Sequence, residues 1–224
     1  VRCLWRSSPA PADGPKRIVP DGCVDLVVSV DDVFVAGPDT LPWYSSLAAA
    51  SALSGIRFQP GHAPRVLGIA ADELRDQRVP LAELWGRRGR TATGLLLDRP
   101  QALPDVVAAE LAGSVADPVV DALVRVLEEG ASRVGVALAD PGVGERQLRR
   151  RFRAAVGYGP ATFLRVARLQ RAAGLAGRFG DLASLAAEAG YADQAHLSRD
   201  CRSLTGTPAR WFFRVGSEVD ERRS

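Results

Sequence analysis

Residues 137–213 say one thing twice, and a chain that repeats so short a segment has to fold it as two small units of one design. The first copy reads Gly142-Val143-Gly144-Glu145-Arg146-Gln147-Leu148-Arg149-Arg150-Arg151-Phe152-Arg153, followed by Gly157-Tyr158-Gly159-Pro160. The second reads Gly190-Tyr191-Ala192-Asp193-Gln194-Ala195-His196-Leu197-Ser198-Arg199-Asp200-Cys201-Arg202, followed by Gly206-Thr207-Pro208. An offset of 49 residues pairs Leu148 with Leu197, Arg150 with Arg199, Phe152 with Cys201, Arg153 with Arg202 and Gly157 with Gly206.

Each copy has a short Ala-rich run, a Gly-containing turn and a second run rich in polar and basic residues. That order predicts a helix-turn-helix, whose second helix enters the DNA major groove while the first crosses the backbone. Between the copies, residues 160–177 read as one helix. Pro160 suits a first helical turn, and Phe163, Leu164, Ala167 and Leu175 recur at helical spacing. Such a linker holds two readers at a fixed separation. If they sit about one DNA turn apart, roughly 34 Å, one chain can read successive major grooves.

On the first second-helix, Leu148 and Phe152 lie four apart and point inward, which leaves Gly144, Arg146, Gln147, Arg150 and Arg151 to divide between bases and phosphates. In the second copy Leu197 and Cys201 point inward, leaving Gln194, His196, Arg199 and Arg202. Gln pairs bidentately with adenine and Arg with guanine. Asp193 reads better as an N-cap than as a base contact. An Arg-rich helix is by itself more often a solvated face, and it is the repeat that tips these residues toward DNA.

The second copy closely resembles the signature of the AraC/XylS family of bacterial transcription regulators, and the resemblance covers roughly the last 90 residues. A Phe is usual in that family where Cys201 stands, and Ser is common where Gly144 stands. Neither departure removes a groove-facing residue. The resemblance extends to the N-terminal part. Pro20-Asp21-Gly22-Cys23-Val24-Asp25-Leu26-Val27, Gly37-Pro38 and Gly55-Ile56-Arg57-Phe58-Gln59-Pro60-Gly61 look like the small β-rich domain that a subset of these regulators carries. It implies double-stranded DNA as a partner, with RNA polymerase and a small-molecule effector as candidate partners.

Charge divides as this reading requires. From residue 132 on there are 16 Arg against 9 acids; before it, 13 basic residues face 17 acids. A basic half beside an acidic half fits a DNA reader attached to something that is not one. Cys3, Cys23 and Cys201 lie far apart with no Cys-x-x-Cys spacing, so neither a zinc site nor a disulfide framework is expected. No cofactor is implied. There is no signal peptide and no apolar run of the ~18 residues a membrane span requires, and a cytoplasmic location is the natural reading. The absence of Met suggests that residue 1 is not the genetic start, with a preceding piece missing.

Upstream, turn clusters at residues 12–15, 31–32, 37–39, 55 and 59–62 punctuate short β-prone runs at 17–20, 24–30, 33–36 and 54–58. After residue 68, helical patterns are expected at 71–77, 81–85, 93–98, 105–113 and 118–129, with a basic surface loop at 87–90. Asp117 and Pro118 are the N-cap and N1 of the last, whose Val119, Val120, Leu123, Val124 and Leu127 make an apolar stripe. The whole is an α+β chain. Residues 1–92 are expected to form a β-rich sensor or interaction domain, 93–130 a helical connector, 131–216 the double helix-turn-helix joined by its linker helix, and 217–224 a polar tail.

Trp5, Cys23, Trp43, Tyr44 and Phe58 are candidate ligand-pocket residues, with core filling as the plainer role for the aromatics. Trp211, Phe212 and Phe213 are expected to pack the second unit. The sequence leaves open a one-component regulator, or an effector-independent DNA-binding protein whose N-terminal domain dimerises, so monomer and homodimer both stand. An enzyme using Cys23 between Asp21 and Asp25, with His62 as base, is the third and weakest class. Related regulators that repair methylated DNA use a reactive Cys, but their zinc-binding four-Cys set is absent here. The chain therefore reads as a non-enzyme.

Overall fold

A computed structural model of the chain describes residues 1–7, 16–45, 52–130 and 144–214. In chain order the strands are β1 (Cys3–Ser7), β2 (Lys16–Ile18), β3 (Asp25–Val28), β4 (Val33–Ala36), β5 (Trp43–Ser45), β6 (Leu53–Arg57) and β7 (Arg78–Pro80). The helices are α1 (Pro64–Leu67), α2 (Leu81–Asp98), α3 (Leu103–Leu111), α4 (Pro118–Glu128), α5 (Glu145–Val156), α6 (Pro160–Leu175), α7 (Leu182–Glu188), α8 (Gln194–Thr205) and α9 (Ala209–Phe212).

Five strands form an antiparallel sheet in the order β1-β6-β3-β4-β7, while β2 and β5 pair only with each other as a separate ribbon. Strand alternation gives the sheet two unlike faces. Leu26, Val35 and Ile56 point one way and are buried with Val66, Leu67, Leu81, Leu96, Leu103 and Val107 beneath α1, α2 and α3. On the other face two rows run across the strands. Trp5 stands opposite Gly55, Gly55 opposite Val27 and Val27 opposite Phe34; beside them run Cys3, Arg57, Asp25, Ala36 and Arg78. The ribbon covers this second face.

A second core joins Val120, Leu123, Val124 and Leu127 of α4 to Leu148 and Phe152 of α5, Phe163 and Leu169 of α6, and Leu197 and Cys201 of α8. The apolar stripe of α4 thus finds its partner in the helices that follow it. Residues of the expected 93–130 connector divide between the two cores: α2 and α3 complete the N-terminal one, and α4 belongs to the C-terminal one. Asp117 caps α4 as expected, accepting from the Val119 and Val120 N–H groups.

Three strands and two short helices went unforeseen, namely β1, β5, β7, α1 and α9. β7 ends in Pro80, which a strand accepts at a sheet edge where its missing N–H is not needed. The expected basic loop at 87–90 lies inside α2, which bends at Gly86 (φ 60°, ψ −129°). Gly89 lets the two segments of that helix meet, since a Cβ there would stand 2.1 Å from the Leu81 carbonyl oxygen. The helical pattern at 71–77 is only a 3-10 turn, Ala71–Glu73. The turn at 12–15, the first helix of the first copy and the tail at 217–224 lie outside the described residues.

Candidate nucleic-acid interface and effector cavity

The repeat survives folding to the residue. α5 and α8 are both 12 residues long and begin 49 residues apart. Each ends at a left-handed glycine whose N–H closes the last turn: Gly157 (φ 103°) on the Arg153 carbonyl and Gly206 (φ 70°) on the Arg202 carbonyl. Inside, Leu148, Phe152, Leu197 and Cys201 are all buried. In the second unit α7, capped by Asp181, leads through a turn at Gly190 into α8, a complete helix-turn-helix. Asp193 is the N-cap of α8, accepting from the His196 N–H at 2.6 Å.

Outward-facing positions separate into two kinds. Gly144, Arg146, Gln147 and Arg150 on the first unit, and Gln194, Arg199 and Arg202 on the second, are exposed. Gly144 aside, their side chains meet no carboxylate among the described residues. Arg151 and His196 differ. Arg151 grips Asp117 with two hydrogen bonds, Nε at 2.8 Å and Nη2 at 2.6 Å, tying α5 to the N-terminus of α4. Burial alone would raise the Asp117 carboxyl, but Arg151 and the capped N–H groups outweigh it and hold it below its ordinary range. His196 lies edge-on to the Tyr191 ring, with Nε2 3.6 Å from the buried Asp200, which also accepts from Arg165 of α6. Arg151 is thus committed by hydrogen bonds within the protein, whereas His196 is held by its ring contact with Tyr191. A sequence pattern shows which way a residue points, not which distant acid waits for it.

Trp211 corrects another expectation. It is 73% exposed, while Phe213 is buried and Phe212 is partly so.

Between the ribbon and the sheet lies a cavity of about 500 Å³. One part of its lining is apolar, from Trp5, Val27, Phe34 and Trp43; another is charged, from Asp25, Asp39, Arg57 and Arg78. Arg57 holds Asp25 through two hydrogen bonds of 2.8–3.0 Å and Asp21 through a 2.8 Å ion pair. Arg78 binds Asp39 bidentately at 2.6 Å and stacks on Trp43, 4.2 Å from the ring centre. These pairs were not legible beforehand, because their members stand 32 to 39 residues apart. Of the expected pocket residues, Trp5, Cys23 and Trp43 line the cavity. Phe58 instead fills the core under the sheet, and Tyr44 points to solvent, since alternation on β5 turns it away from its neighbours.

Cys23 and His62 keep separate company. The thiol sits by Arg2 and the Asp21 carbonyl, and His62 between Asp121 and Arg65. Burial, reinforced by Asp21, pushes the Cys23 thiol up to about 12, where it is almost wholly protonated at neutral pH.

A family model described as a helix-turn-helix domain matches residues 139–214, and one described as a domain of unknown function (DUF6597) matches residues 1–80. No curated protein matches the chain. Among solved structures it is similar to ToxT from Vibrio cholerae O395, at 8% identity and a TM-score of 0.49, over 96% of this chain and 97% of that one. It is similar also to ToxT from the same strain bound to (E)-4-(8-methylnaphthalen-1-yl)but-3-enoic acid, at 7% identity and a TM-score of 0.49, over 96% and 98%. The helix-turn-helix match lies over the duplicated helices α5 and α8, and the match of unknown function lies over the sheet and its ribbon.

Proposed function

We propose that the protein is a one-component regulator in which both helix-turn-helix units read DNA and the cavity beside the ribbon takes a small-molecule effector. The observation that carries the reading is the matched pair α5 and α8, each showing solvent a set of side chains suited to DNA. Arg146, Gln147 and Arg150, beside the Gly144 backbone, form the first set, and Gln194, Arg199 and Arg202 the second. Arg151 and His196 brace the helices rather than read bases. Residues through 111 form the sensing part and those from 118 on the DNA-reading part.

No catalytic role is assigned. Among the described residues no histidine lies against the protonated Cys23 thiol, and a thiol-reactivity profile should show it slower than free cysteine. The protein acts in the cytoplasm and, from its operator, contacts RNA polymerase. Among the described residues no helix is long and apolar enough to cross a membrane.

The test is selection of bound sequences from a random DNA pool at low and near-physiological salt. A two-box motif with centres about one helical turn apart is expected. Enrichment of a single box would remove one unit as a reader. Binding without enrichment that vanishes as salt rises would leave only a polycation.

A further inference from the structure

The N-terminal domain holds the two DNA-reading units through two different parts of itself. The first unit rests on the sheet side. Arg153 of α5 meets Asp72 at 3.0 Å, and a Cβ at Gly157 would stand 2.2 Å from Pro38 and 3.1 Å from the Ala71 carbonyl oxygen. That seat is stiff. Gly37 donates its N–H to the Gln77 carbonyl, the Asp76 N–H goes to the Pro38 carbonyl, and the Asp76 carboxylate takes both the N–H and the hydroxyl of Thr40.

The second unit rests on the ribbon. Arg17 of β2 donates to the Thr207 hydroxyl and lies 5.9 Å from the centre of the Phe212 ring, and Pro42, just ahead of β5, packs beside Gly206. The ribbon is only three residues deep on each strand and hydrogen-bonds to no strand of the sheet. The 500 Å³ cavity lies directly under it, and Arg17 and Trp43 line that cavity.

We propose that the ribbon is the moving part of the protein: a ligand seated beneath it draws Arg17 from Thr207 and frees the second unit while the first stays docked. This rests on reading the cavity as an effector site. The cavity's chemistry narrows the ligand to a small molecule with a flat apolar face and an anionic end. The apolar face lies along Trp5, Val27 and Phe34; Gly55 keeps the indole low, because a Cβ there would stand 2.6 Å from it. Asp21 and Asp25 share Arg57, and Asp39 takes Arg78; Arg6 and Arg17, which among the described residues meet no carboxylate, tip the lining to a net positive charge. An incoming anion therefore finds Arg17 unneutralised, and a charge-assisted hydrogen bond to it displaces a neutral hydroxyl.

The experiment is hydrogen exchange on the full chain with 8-anilino-1-naphthalenesulfonate as the probe, its fluorescence reporting occupancy. Ala36→Phe fills the cavity and Trp43→Ala strips its wall; either should abolish the fluorescence gain. In wild type the probe should speed exchange across 194–213 by about tenfold, the loss of one charge-assisted hydrogen bond, and leave 145–156 unchanged. Arg17→Ala should show that rise without probe and no more with it, and Asp72→Ala should loosen 145–156 instead. If the probe binds and both variants abolish its signal, yet 194–213 is unmoved or both segments loosen together, the ribbon mechanism is overturned and the cavity reading stands. If neither variant changes the probe's fluorescence, the cavity reading falls and the proposal with it.

Discussion

α5 and α8 occupy equivalent places in two copies of one unit, and they solve the same problems with different chemistry. At the inward knob the first uses Phe152, edge-on to Phe163 with ring centres 5.6 Å apart; the second uses Cys201, wedged against Thr205 and the Thr207 carbonyl. One position earlier, Arg151 and Asp200 carry opposite charges. Each still ties its helix to a neighbour, Arg151 to Asp117 of the α4 cap and Asp200 to Arg165 of α6. A brace stands at that position in both units, with opposite sign. Outward, α5 presents Arg146, Arg149 and Arg150, its Arg151 and Arg153 being tied to Asp117 and Asp72, against Arg199 and Arg202 on α8. On the proposed reading of both units as DNA contacts, the first grips phosphate more strongly and the second reads with a sparser set.

Truncation of the knobs tests the first contrast and carries the largest effect. Phe152→Ala should cost about 3–5 kcal/mol of stability, because a fully buried ring leaves a cavity. Cys201→Ala should cost under about 1.5 kcal/mol, only a sulfur and weak hydrogen bonds being lost. Equal shifts in denaturant midpoint would mean that the two pockets are equally filled and the contrast is false.

DNA binding sharpens the second contrast. Gln194→Ala should relax preference at one base position by about 1–3 kcal/mol and leave the salt slope alone. Arg150→Ala should weaken binding to every sequence and lower the slope of log affinity against log salt by about 1. The comparison breaks if Arg150→Ala alters base preference at one position and Gln194→Ala alters none.

Acid should find the brace of the first unit. The Asp117 carboxyl is held below its ordinary value of 3.8 in the folded chain, so it adds stability above that pH and loses it as pH falls through the lowered value. Arg151→Ala should flatten that acid limb. Melting temperatures measured from pH 6 to 3 give the result, and an unchanged acid limb would mean that the Arg151 pair contributes nothing there.

Much of this was legible in the sequence, for a reason particular residues show. Leu148, Phe152, Leu197 and Cys201 obey helical period, and period fixes direction. Gly157 and Gly206 mark helix ends because they supply the left-handed backbone that other residues resist. Asp117 and Asp193 were readable as caps because a cap acts within three residues. What stayed hidden depends on meetings across the chain. Nothing near Arg151 announces Asp117, nothing near Trp43 announces Arg78, and Tyr44 and Phe58 look alike until strand register puts one in water and the other in the core.

The N-caps give the smallest effect and the most direct repair of the asymmetry. Asp193 caps α8 with its carboxylate, whereas Gly144 offers α5 no side chain. Gly144 has extended backbone (φ −62°, ψ 137°) that any residue can adopt, and a Cβ there would meet nothing within 4 Å. Gly144→Ser should therefore stabilise the chain by a few tenths of a kcal/mol, since the new hydroxyl can accept from the N–H two or three residues on. The reverse change, Asp193→Gly, should destabilise α8 by a similar amount. Denaturant midpoints of both variants decide the matter. If Gly144→Ser gains nothing while Asp193→Gly loses stability, the start of α5 already satisfies its N–H groups without a cap, and the two helices begin in different ways.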